Sequence, residues 1–119
     1  MVPVTEMRVL VFPESSRYWT ARALEHDIAV QGRSVEDAID ALIKVVRAHV
    51  AFDLRHNRRP LSAFPPAPRL YWNAFRDATR QAQNREIDCH DTDGTPRIVM
   101  ATMARNPAAY RRASLSLTA

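Results

Sequence analysis

The sequence predicts an α+β domain: a small sheet of short strands, an amphipathic helix packed on one of its faces, then a second helix and a C-terminal hairpin. Three observations carry this prediction. Apolar runs at Met7–Phe12, Tyr18–Leu24 and Ile28–Gln31 have strand length and strand patterning. Apolar residues then recur at helical spacing after Ser34, and again after Leu70. Two further short runs flank Asp91-Thr92-Asp93-Gly94-Thr95-Pro96, a turn sequence.

The first strand, Met7–Phe12, places Met7, Val9 and Val11 on one face. Pro13–Arg17 is polar and turn-rich, so it returns the chain. In the second strand Trp19, Ala21 and Ala23 alternate with Tyr18, Thr20, Arg22 and Leu24. Glu25-His26-Asp27 is a polar break before the third strand, and the chain turns at Gly32-Arg33. Ser34 is a good N-cap, and Asp37 at N3 answers it as a weaker capping box. Val35, Ala38, Ile39, Leu42, Val45, Val46 and then His49 or Val50 build one stripe, predicting a helix from Val35 to about Phe52. Its acids fall in the first turn and its cations late, the order the macrodipole favours, with Asp40 and Lys44 at i,i+4.

Pro60, Pro65, Pro66 and Pro68 make Asn57–Arg69 an extended loop. Leu70–Ala82 is the second amphipathic helix, with Asn84 as its expected stop. Glu86–His90 and Arg97–Thr102 form the hairpin, with Gly94 supplying a positive φ at its tip. Asn106-Pro107 opens one last short helix, and Ser114–Ala119 is expected to fray. The whole is one domain over 1–119: a core at 1–68, the second helix and hairpin at 69–105, and a short helix with its tail at 106–119.

Composition removes several function classes. Two glycines, Gly32 and Gly94, leave no glycine-rich phosphate loop. The single Cys89 excludes an intrachain disulfide and a multi-cysteine zinc site. The opening MVPVTEMRVLVF lacks a signal peptide's basic start and long apolar stretch, and no apolar run reaches the roughly 18 residues of a membrane span. A reducing, cytoplasmic setting is therefore expected. The net charge of +4 invites nucleic acid, but Lys44 is the only lysine, and this arginine bias has the look of a GC-rich genome. The distribution says more than the sum. Acids outnumber cations through Val46, and from Arg47 onward arginines outnumber acids about two to one.

Arg8–Phe12, Tyr18–Leu24, Glu25–Gly32 and Ser34-Val35-Glu36-Asp37-Ala38-Ile39 together resemble the HicB-like antitoxin family. Members carry a similar glycine, hydroxyl, acid-acid-alanine run where the sheet meets the helix. The resemblance covers about the first half of the chain. It implies a partial ribonuclease-H-like fold, a small antiparallel sheet with the helix across one face. It also implies a non-catalytic module that neutralises small basic HicA-type toxins in bacterial toxin–antitoxin systems. Many members add a DNA-binding unit, and here the chain departs. Arg97–Thr102 is followed only by the short Pro107–Ala113 segment, and a proline loop separates the two helices, so operator binding is not expected.

No catalytic residue, metal ligand or cofactor is expected. Two-metal nucleases need converging carboxylates, and Met7–Phe12 contains none, which leaves a degenerate nuclease as the minor alternative. Cys89-His90-Asp91-x-Asp93 reads as a polar hairpin tip, because neighbouring strand residues face opposite ways. The expected partner surface comprises Glu25, His26, Asp27, Glu36, Asp37 and Asp40, acidic residues and a titratable histidine suited to a basic partner. The competing reading of Glu25–Asp27 is an edge-strand device against aggregation. The main alternative function is RNA or DNA binding through Arg55, Arg58 and Arg59, a run that otherwise complements the helix dipole. Trp19 and Trp72 lie on apolar stripes and are assigned to the core rather than to base stacking. Finally, Leu70, Tyr71, Ala74, Phe75, Ala78, Ile98, Val99 and Met100 exceed what one small sheet and helix need, so a homodimer through that patch is expected. The alternative is that these residues fold back onto their own sheet.

Overall fold

The computed structural model describes residues 6–80, 84–87 and 96–108. In chain order the elements are β1 (Glu6–Pro13), β2 (Trp19–Ala23), β3 (Ile28–Gly32), α1 (Val35–Arg55), α2 (Arg69–Arg80), β4 (Asn84–Ile87) and β5 (Arg97–Thr102). The five strands form one sheet in the order β3-β2-β1-β5-β4. β1, β2 and β3 are an antiparallel meander, with Val9 opposite Ala23 and Arg22 opposite Ala29. On its other side β1 pairs in parallel with β5, Val9 beside Met100, and β4 closes that edge antiparallel to β5.

The α+β class stands, with one difference from the expected antiparallel sheet. The C-terminal hairpin enters the sheet beside β1 and makes it mixed. The cause is visible in β1, where Met7, Val9, Leu10, Val11 and Phe12 are all buried. A strand apolar on both faces has to be central and covered on both sides. Met7, Val9 and Val11 face the α1 layer with Ala21, Ala23, Ile28, Ile98 and Met100. Leu10 and Phe12 face the opposite layer with Leu24 and Ala101.

α1 supplies the first layer through Ala38, Ile39, Leu42, Val46 and Val50, lying mainly over β3 and β2. It starts at the residue the sequence indicates. Ser34 Oγ accepts the Asp37 N–H at 3.0 Å, the N-cap bond expected of that serine. Ser34→Ala should therefore lower stability by about 1 kcal/mol in urea denaturation, with an unchanged m-value. A loss below about 0.3 kcal/mol would show the cap to be idle.

α2 covers the second layer, where Ala74, Phe75 and Ala78 are buried with Leu10, Phe12 and Ala101. This corrects the dimer patch. Ala74, Phe75 and Ala78 are spent on the back of the sheet, Ile98 and Met100 in the α1 layer, and Leu70, Tyr71 and Val99 are half-buried beside them. Two layers of core, rather than the one anticipated, consume the surplus apolar residues. Asn84, expected to stop α2, opens β4 instead, since its backbone pairs with Ala101.

The proline loop carries the chain between layers. The buried Asp53 carboxylate accepts the Leu61 N–H at 2.8 Å, and the Leu61 side chain is fully buried in the α1 layer. Asn57 and Leu61 adopt left-handed backbone angles, φ 55° and 63°. Asn tolerates this conformation, whereas for Leu it costs on the order of 1 kcal/mol, which burial and the Asp53 bond offset. Further on, Pro65 O accepts the Asp27 N–H and the Ala67 N–H binds Leu24 O, which fastens the loop to the β2–β3 turn. Asn106 caps the turn it precedes, its Oδ1 accepting the Ala108 N–H at 2.8 Å. The tip around Gly94, the Cys89–Asp93 cluster and the tail lie outside the described residues.

Candidate functional site

The β2–β3 turn carries Glu25, His26 and Asp27, and both of its acids are paired within the chain. Glu25 accepts the Arg8 backbone N–H at 2.7 Å and the Arg8 guanidinium at 2.6 Å. Asp27 receives both Nε and Nη2 of Arg22, at 2.8 and 3.1 Å, a two-pronged bond that fixes both side chains. Behind them lie α2 aromatics. The Arg22 guanidinium stands 4.2 Å from the Tyr71 ring centre, and Arg8 stands 6.0 Å from that of Trp72. Tyr71 in turn stacks on Phe12, and the Trp72 indole N–H binds Ala67 O. Glu25 and Asp27 thus hold two arginines of the sheet against the second helix. Their placement as partner-facing acids is corrected accordingly, because Arg8 and Arg22, on the α2 face of the sheet, already pair with them. His26 between them is half-buried, and its Nδ1 is buried without a hydrogen-bond partner.

Glu36, Asp37 and Asp40 lie on α1. All three are exposed in the first turns of α1. That turn lies against the end of β3: a Cβ placed on Gly32 would sit 2.7 Å from both Ala38 Cα and the Asp37 carbonyl carbon. Among the described residues β3 ends the sheet, paired to β2 on one side only. Its sequence, Ile28-Ala29-Val30-Gln31-Gly32, contains no charge and no proline, and Ala29 and Gln31 are exposed. None of the usual devices that blunt an edge strand is therefore present within it, apart from its shortness. An acidic rim beside an unblunted edge is the first candidate surface.

The second lies at the far end of α1. Arg55, Arg58 and Arg59 are exposed there, roughly 30 Å from the acids given the rise of a 21-residue helix. Phe52 and Leu54, 42% and 45% exposed, join them. Sequence reasoning missed these two, because it ended the helix at Phe52 and followed only its apolar stripe. The signal that finds them is their position off that stripe, next to the basic run.

A cleft of about 420 Å³ opens between α2 and the end of β5, lined by Leu70, Asn73, Asp77, Met103, Arg105 and Pro107 among others. Its described lining brings together no acid–base or nucleophile arrangement. Among the described residues no three His, Cys, Asp or Glu side chains converge as metal ligands, and no helix is long and apolar enough to cross a membrane. In comparisons with family models, curated proteins and solved structures, nothing matches the chain.

Proposed function

We propose that this chain is a non-catalytic protein-binding module, in the manner of a HicB-type antitoxin, working in the cytoplasm. It takes a small basic partner along the β3 edge and against the acidic start of α1. The observation that carries this reading is the combination found at one end of the sheet. A strand of five residues without charge or proline offers unpaired backbone groups, and exposed Glu36, Asp37 and Asp40 stand beside it. An added strand satisfies those backbone groups, which supplies affinity, while the acids select and steer a cationic partner. The antiparallel meander followed by a capped helix lends support, since it is the arrangement the HicB-like resemblance implies.

The test is co-elution of the purified chain with a small basic protein of the HicA type, sought first in the neighbouring reading frame. A complex is expected that weakens as salt rises. Ala29→Lys with Gln31→Lys, and separately Asp37→Lys with Asp40→Lys, should each reduce affinity by about tenfold or more, equivalent to roughly 1.4 kcal/mol. All four positions are exposed, so circular dichroism should stay unchanged. No complex at low salt, or a complex indifferent to both double variants, overturns the reading.

A further inference from the structure

We propose that the C-terminal end of α1 is a binding site for single-stranded nucleic acid, built from Phe52, Arg55, His56, Arg58 and Arg59. The site is separate from the acidic end of the helix and does not depend on the reading given above. Three features of the geometry point to it.

The first is that the arginine side chains are not needed to cap the carbonyls at the helix end. Basic residues there commonly cap the last carbonyls. Here backbone groups already do so. His56 N–H binds the carbonyls of Phe52 and Asp53, Asn57 N–H binds that of Leu54, and Arg58 N–H returns to Asp53 O at 2.8 Å. The His56 ring adds Nδ1 at 2.8 Å from Phe52 O. Arg55, Arg58 and Arg59 are left exposed.

The second is that the acid nearest to them is withdrawn. Asp53 sits in the middle of this segment, yet it is 8% exposed and its carboxylate is turned inward to the Leu61 N–H. Among the described residues no carboxylate forms an ion pair with Arg55, Arg58 or Arg59. Three cations therefore concentrate within five residues with no counter-charge between them, the condition under which phosphates are attracted.

The third feature is an aromatic stack in the middle of the cations. The Phe52 and His56 rings lie 4.1 Å apart and nearly parallel, at 28°. The Arg58 guanidinium stands 5.8 Å from the Phe52 ring centre. All three side chains are exposed. A stack of rings and guanidinium planes at the surface is a platform for unpaired bases, and the left-handed Asn57 between His56 and Arg58 fixes its shape before any ligand arrives. A duplex keeps its base faces covered and gains nothing from such a platform, which favours single strands.

Fluorescence anisotropy of a labelled short oligouridylate, titrated with the full chain across a salt series, tests this. Binding is expected, with a log–log salt slope of about −2 for three phosphates at about 0.7 each. Arg58→Ala should flatten the slope by about 0.7. Phe52→Ala should weaken binding by about tenfold or more and leave the slope unchanged. Both variants alter exposed positions, and a preserved circular dichroism spectrum confirms that they fold. Four results overturn the proposal: no anisotropy change at low salt, duplex RNA bound as tightly as the single strand, affinity indifferent to Phe52→Ala, or a labelled oligoglutamate bound in place of the RNA.

Discussion

Gly32→Ala is expected to destabilise the protein by about 3 kcal/mol, the upper end of overpacking losses. The added methyl would lie 2.7 Å from Ala38 Cα and from the Asp37 carbonyl carbon, well inside the roughly 3.5–4.0 Å of a favourable carbon contact. The atoms in the way are backbone of the first turn of α1, so no side chain can swing aside. Either β3 or the helix start must move, and movement there also pulls on the Ser34 cap. Urea denaturation should give a lower midpoint with an unchanged m-value. A loss below about 0.5 kcal/mol would mean that strand and helix are not in contact at Gly32.

Leu42→Ala should cost between about 2 and 5 kcal/mol, the range of cavity-forming truncations. Leu42 is fully buried in the layer that holds Ile39, Val46, Met7, Val9 and Ala21. The layer is closed by the sheet on one side and by Leu61 from the proline loop, so little is free to collapse into the space. Against a total stability on the order of 5–15 kcal/mol, such a loss removes a large share. Thermal or chemical denaturation measures it. A change below about 0.5 kcal/mol would place the buried face of α1 elsewhere.

Local structure was legible in the sequence wherever a short-range signal specified it. The Ser34 cap and the stripe through Leu42 and Val46 placed the start of α1 at Val35, where the structure has it. The helix runs three residues past the expected Phe52, to Arg55, because its last carbonyls are met by His56, Asn57 and Arg58, residues that leave no periodic trace. The three-strand meander was legible for the same local reason, since short polar turns return the chain. The parallel pairing of β1 with β5 was not. It joins segments some ninety positions apart, and its only sequence sign is that Leu10 and Phe12 leave the second face of β1 apolar.

The candidate site was legible in part. Glu36, Asp37 and Asp40 are exposed as expected, because a helix's polar face follows from its period. Glu25 and Asp27 are not free, because Arg8 and Arg22, remote or on the neighbouring strand, reach them once the strands are in register. Charge composition alone cannot distinguish an acid that faces a partner from one that holds its own sheet to its own helix. The approach of Arg58 to the Phe52–His56 stack was hidden for a related reason: it follows a left-handed turn at Asn57.

The central claim is that the β3 edge and the start of α1 form the partner-binding surface, and backbone amide hydrogen exchange tests it most directly. The chain would be compared alone and in the presence of a small basic HicA-type protein. Added protection is predicted at amides of Ile28–Gly32, together with the turn carrying Glu36, Asp37 and Asp40. Protection confined to other elements, with β3 exchanging as in the free chain, would contradict it.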